Sequence, residues 1–145
     1  MYGFAAPIRV VPFDKNESLE KNPLSIQPSF LKILETNPEI SHVQFAAQKG
    51  GVLKTKDQIQ AIVLKGVDSA YDWTFIKRNL LAGCIPDLRT VQASKNVLIS
   101  KKLADRLFLK IGDPLRIWFI GRQNADVMGR KLKVTGIFQT GIEEF

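Results

Sequence analysis

One cysteine, Cys84, and one histidine, His42, stand in a chain of 145 residues. A single cysteine forms no internal disulfide and builds no cysteine zinc cluster. A single histidine permits at most one histidine-based triad and excludes a multi-histidine metal site. No run of residues approaches the ~20 consecutive apolar positions of a membrane helix. Met1 to Val11 lacks the basic start and apolar centre of a signal peptide. There is no Gly-x-Gly-x-x-Gly, no phosphate-cradling glycine loop ending in Lys-Ser/Thr, and no His-Glu-x-x-His. Glu143 and Glu144 are adjacent, so they read as surface or linker charge rather than as a facing acid/base pair. Cys84 has no histidine near it in sequence and reads as a buried or half-buried inert thiol. His42 opens a strand and reads as an ordinary hydrogen-bonding residue. No residue is assigned to catalysis, to a cofactor or to a metal, and no enzymatic activity is expected.

Apolar residues make up 45% of the chain and charged residues 24%, the balance of a globular domain rather than of a disordered or collagen-like chain. The net charge of +7 is unevenly placed. Residues 1–75 carry 8 Lys/Arg and 8 Asp/Glu, whereas residues 76–133 carry 13 Lys/Arg against 4 Asp/Glu. A basic segment of this kind either meets an anionic partner (nucleic acid, a membrane surface or an acidic protein) or is a solvated face.

Ile8 to Val11 reads as a first strand, and Asp14 to Asn22 as a polar loop. Gln27-Pro28 opens a helix that carries Phe30, Leu31 and Leu34 on one face and ends at Asn37-Pro38. A second strand runs from His42, bends or bulges at Gly50-Gly51 and continues through Lys54. Lys56-Asp57 turns the chain into a third strand, Ile59 to Val67. Apolar residues on both its faces predict a central or sandwiched position. Asp68 to Leu88 reads as a helical turn followed by a loop. Asn96 to Ile99 is a short buried strand, and Ser100 is a helix N-cap before Leu103, Ala104 and Leu107. Gly112-Asp113-Pro114 is a turn. Leu115 to Ile120 is a strand, Gly121 to Gly129 a loop, and Lys131 to Gln139 the returning strand. There is no internal repeat. The order of elements predicts an α+β architecture.

The loop after Ile120 is several times longer than a two-residue hairpin turn. It carries cations, amides and the apolar pair Val127-Met128. It reads either as an interaction loop or as an unengaged hairpin tip.

The run Val97-Leu98-Ile99-Ser100-x-x-Leu103-Ala104-x-x-Leu107-x-Leu109-x-x-Gly112-Asp113, with Val134-Thr135-Gly136-Ile137-Phe138 closing the unit, resembles the extracytoplasmic domain of type VII, FtsX-like ABC transporter permeases. That family includes MacB and the lipoprotein-releasing permeases LolC and LolE. Phe4 to Val11, the following helix, Val43-Gln44-Phe45 and Gly50-Gly51 resemble the family's first β-α-β unit. Gly141-Ile142-Glu143-Glu144-Phe145 resembles permeases of lipoprotein export, which favours that cargo over MacB-like efflux.

The resemblance implies a MacB-like periplasmic core with a partial porter-like β-α-β part at 1–58, a β-rich sabre-like part at 59–139, and the start of a return segment at 140–145. Ser100, Leu103, Leu107, Gly112 and Asp113 are then fold-determining residues. The implied setting is the periplasmic side of the bacterial inner membrane, the chain being an excised piece of an integral membrane protein. The implied partners are an ABC ATPase subunit and a second permease, both reached through the membrane part. The loop matches a hook that recruits a periplasmic lipoprotein chaperone. Arg122, Gln123, Asn124, Val127, Met128 and Arg130 are its candidate contact residues. A similar strand, helix and Gly-Asp pattern also occurs in double-psi barrels and swapped-hairpin transcription factors. A basic nucleic-acid-binding domain using residues 76–133 is therefore the alternative of another class. No nucleic acid is expected as a partner, because Phe108, Trp118 and Phe119 are the only aromatic residues that this segment offers for stacking.

Overall fold

A computed structural model describes residues 8–11, 24–89, 92, 94–120 and 127–140. The helix α1 (Pro28–Thr36) begins with a proline, which lacks one of the N–H groups that the first turn would otherwise leave unpaired. It stops at Asn37, whose amide donates to the Ile33 carbonyl at 3.2 Å. Leu31 and Leu34 are half-buried on one side, and no residue of α1 is fully buried.

The strands β1 (Ala46–Lys54) and β2 (Ile59–Val67) form an antiparallel hairpin in unbroken register from Ala46↔Val67 to Lys54↔Ile59. The turn between them is closed by the Thr55 amide donating to the Gln58 carbonyl at 2.9 Å. After it come α2 (Thr74–Asn79), β3 (Leu80–Gly83), β4 (Asn96–Ser100), α3 (Lys101–Leu107), β5 (Pro114–Ile120) and β6 (Val127–Phe138). The six strands make one sheet in the order β2-β1-β5-β6-β3, with β4 pairing parallel to β6 and all other pairs antiparallel. The architecture is α+β.

The core follows from alternation. Leu115, Ile117 and Phe119 of β5 face one side of the sheet and are buried, as are Leu53 of β1 and Val134 of β6. Ala104 and Leu107 of α3 close over them together with Ile99, and Leu103, Leu109 and Leu132 pack at the margin. Each large apolar side chain buried here contributes about 1.5–3 kcal/mol. Arg106 of α3 donates from Nη1 to Oε1 of Gln60 on β2 at 3.2 Å, tying the helix to the far strand of the sheet.

Several sequence expectations are corrected. Residues 8–11 are irregular and exposed, with no strand pairing them, so the expected first strand of the β-α-β unit is absent among the described residues. Gly50 and Gly51 form no bulge. Both stay in the β1–β2 ladder, and Gly51 gives room to Phe119, whose Cε1 would lie 2.9 Å from a Cβ there. β2 lies at the sheet edge rather than in its centre. Its second face is open, which leaves Ile59 and Val63 exposed. Residues 80–83, expected as loop, form β3 because their backbone finds the free edge of β6. β6 begins at Val127, four residues before the expected Lys131, because the pairing with β5 continues to Ile120↔Val127. Cys84 is exposed rather than buried: its amide donates to the Thr135 carbonyl at 3.0 Å at the end of the β3–β6 ladder, beyond the cover of the core. No helix among the described residues is long and apolar enough to cross a membrane.

Candidate interaction surface

The face of the sheet opposite the core carries the strongest concentration of exposed chemistry. It is set by the same alternation that fills the core: between Leu115, Ile117 and Phe119 stand Arg116 and Trp118, and on either side of Leu132 stand Lys131 and Lys133. The ladder pairs Lys54 with Arg116, and Arg116 with Lys131. Directly opposite residues share a face, so three cations from β1, β5 and β6 form a line across the sheet. Strand spacing places the whole line within about 10 Å. All three side chains are exposed, as is Lys133 one step along β6. Among the described residues the salt bridges are Arg89–Asp87 and Lys101–Asp105, and neither reaches this line.

One row further along the strands the same face is apolar. Ala61, Val52, Trp118 and Gly129 are paired in sequence across β2, β1, β5 and β6. Trp118 is half-buried because its indole lies over Gly129. Val52, Val63 and Ile59 extend the apolar ground, with 37%, 46% and 70% of their surface exposed. At the far end the face is covered. The Lys65 ammonium sits 5.2 Å from the centre of the Tyr71 ring, whose edge meets Trp73 at 4.7 Å. Burial, and then the charge of Arg9, lowers the Lys65 pKa. Burial, and then Asp72, raises that of Tyr71.

Of the expected hook residues, Arg122, Gln123 and Asn124 lie outside the described residues. Val127, Met128 and Arg130 belong to β6, paired with Ile120, Phe119 and Ile117. Val127 and Met128 are 60% and 44% exposed, so the β5–β6 arm carries uncovered apolar surface towards its end. Met128 and Arg130 lie on the core side of the arm and Val127 on the outer side, so the three do not form one patch.

The residues of the strand, helix and turn unit have structural partners. The Leu103 amide donates to Ser100 Oγ at 3.2 Å, capping α3. Leu103 packs at the core margin, and Leu107 is buried. Gly112 has φ +92°, and its amide donates to the Val134 carbonyl at 2.7 Å. Asp113 accepts from the Lys110 amide through Oδ2 at 2.8 Å, while its carbonyl receives the Val134 amide at 3.0 Å. The turn thereby fastens α3 to β6. His42 Nε2 is 2.6 Å from the Ala70 carbonyl, which holds the segment before β1 against the one before α2. Among the described residues no group of three or more His, Cys, Asp or Glu side chains could hold a metal ion.

Sequence reasoning located the positive charge in residues 76–133 but missed the line Lys54-Arg116-Lys131 and the part of Trp118. The period-two alternation of Arg116 and Trp118 with the core residues was a usable signal. Lys54 was not findable this way, because it lies outside the basic segment and joins the line only through the β1–β5 register.

No family model matches the sequence, and no curated protein matches it. The fold does have a counterpart among solved structures: the extracellular domain of the noncanonic ABC-type transporter YknZ from Gram-positive bacteria. The two superimpose with a TM-score of 0.57 at 21% identity over 83% of this chain. The chain spans 61% of the length of that domain. The α+β sheet described here is thus similar in fold to the extracellular domain of an ABC transporter.

Proposed function

We propose that this chain is an extracytoplasmic domain of an ABC transporter permease, standing on the outer side of the bacterial inner membrane. It binds and transmits rather than catalyses. ATP is hydrolysed by a separate subunit or domain, and the extracytoplasmic part passes the resulting motion to cargo. The observation that carries this reading is the likeness of fold to the extracellular domain of the transporter YknZ. The strand, helix and Gly-Asp unit of residues 97–138 supports it independently from the sequence.

Within that class we infer the lipoprotein-releasing type, on the resemblance of Gly141 to Phe145 to its members. The arm formed by β5 and β6 is then the contact element for a lipoprotein or its chaperone. Met128 and Arg130 supply apolar anchoring and a charge-assisted hydrogen bond from one face of the arm, and Val127 an apolar contact from the other. In this reading residues 1–58 begin a porter-like part and residues 59–139 form a sabre-like part.

The test replaces residues 122–128 by a Gly-Ser linker in the transporter that carries the chain. Chaperone capture and lipoprotein release are then measured, with circular dichroism as a check on folding. The reading expects both activities to be lost in a folded protein. Unchanged capture and release would remove the arm from the contact site.

A further inference from the structure

We propose that the outer face of the sheet is a docking surface for an anionic phospholipid membrane, with Lys54, Arg116, Lys131 and Lys133 on headgroup phosphates and Trp118 at the boundary between headgroups and acyl chains. This goes beyond the reading above and does not depend on the cargo.

Three observations lead there. The first is the register. Like charges placed directly opposite one another across strands repel, and Lys54, Arg116 and Lys131 are opposed in two successive pairs. A partner presenting several anions side by side relieves all of these contacts together. The second is composition. The line and Lys133 beside it hold no carboxylate, and the residues facing the same side along β5 and β6 are Pro114, Arg116 and Trp118 against Lys133, Lys131, Gly129 and Val127. One sign of charge without interspersed acids suits a field of lipid phosphates better than it suits a protein face, where acids and bases alternate. The third is the neighbouring row. Trp118 is half-buried against Gly129, the exposed Val52 is paired with it on β1, and Ile59 ends the cation line in the open on β2. An amphipathic indole beside cations and exposed aliphatic side chains is the pattern of an interfacial membrane contact.

The experiment uses the whole chain with Trp73→Phe, so that indole fluorescence reports Trp118 alone. Flotation is measured with vesicles of phosphatidylcholine, and with vesicles of phosphatidylcholine mixed with phosphatidylglycerol. The expected result is binding to the mixed vesicles only, weakened by salt, with a blue shift of Trp118 emission. Changing Lys54, Arg116 and Lys131 together to Gln lowers the affinity about fivefold per cation, or about a hundredfold in all. A control that changes the exposed Lys32, Lys77 and Lys102 to Gln removes the same net charge and retains the greater part of the affinity. Four outcomes overturn the proposal: no flotation, equal binding to both vesicle types, an equal loss in the control, or tighter binding at the same salt to duplex DNA or polyglutamate than to the mixed vesicles. None of these bears on cargo release, so failure of the surface is distinguishable from failure of the transporter reading.

Discussion

Trp118 and Gly129 are partners across the β5–β6 ladder, and the indole occupies the space a side chain at 129 would need: a Cβ there would stand 2.7 Å from Cζ3 of the ring. The contact sets where the indole lies on the outer face. Gly129→Val should push the indole off the sheet, costing about 1 kcal/mol in overpacking. Urea unfolding measures the cost, and a red shift of Trp118 emission in the Trp73→Phe background reports the displaced ring. Unaltered emission would mean that the two residues do not touch.

The two ends of α3 make opposite predictions. Ser100 accepts the Leu103 amide, so Ser100→Ala should destabilise by about 1 kcal/mol through loss of the N-cap.

At the other end Phe108 sits at φ 54°, ψ 41°, left-handed and 81% exposed. A non-glycine residue costs about 1–2 kcal/mol in that conformation, and the exposed ring recovers little by burial. Phe108→Gly should therefore stabilise the chain by about 1 kcal/mol, read as a raised urea midpoint at unchanged slope.

Arg116 stands between Lys54 and Lys131. Removing the middle cation should relieve repulsion on both sides. Arg116→Gln is expected to stabilise by about 0.5 kcal/mol at low ionic strength. The gain should shrink as salt screens the exposed charges. A salt-independent effect would mean that the three cations do not sense one another.

Much of the fold was legible because local signals agreed with it. Pro28 and Asn37 bound α1, Lys56-Asp57 marks the hairpin turn, and Ser100 with Gly112 and Asp113 brackets α3 and its reversal. What failed depended on partners far away in sequence. Gly50-Gly51 reads as a break until Phe119 is seen filling the space above Gly51. The apolar alternation of β2 fits a central strand and an edge strand with open apolar residues equally well, and only the sheet order decides. The end of β6 at Val127 depends on how far β5 continues to pair. At the surface the basic segment could be counted from the sequence, but the cation line needs the register of three strands.

The central claim, that this domain stands outside the cytoplasmic membrane on an ABC permease, is tested most directly by labelling Cys84. This is the chain's one cysteine, and it is exposed. Spheroplasts bearing the whole transporter would be treated with a membrane-impermeant maleimide, and the peptide that contains Cys84 analysed by mass spectrometry. The account predicts full labelling in intact spheroplasts, with no increase on lysis. Labelling that occurs only after lysis would put the domain in the cytoplasm and contradict it.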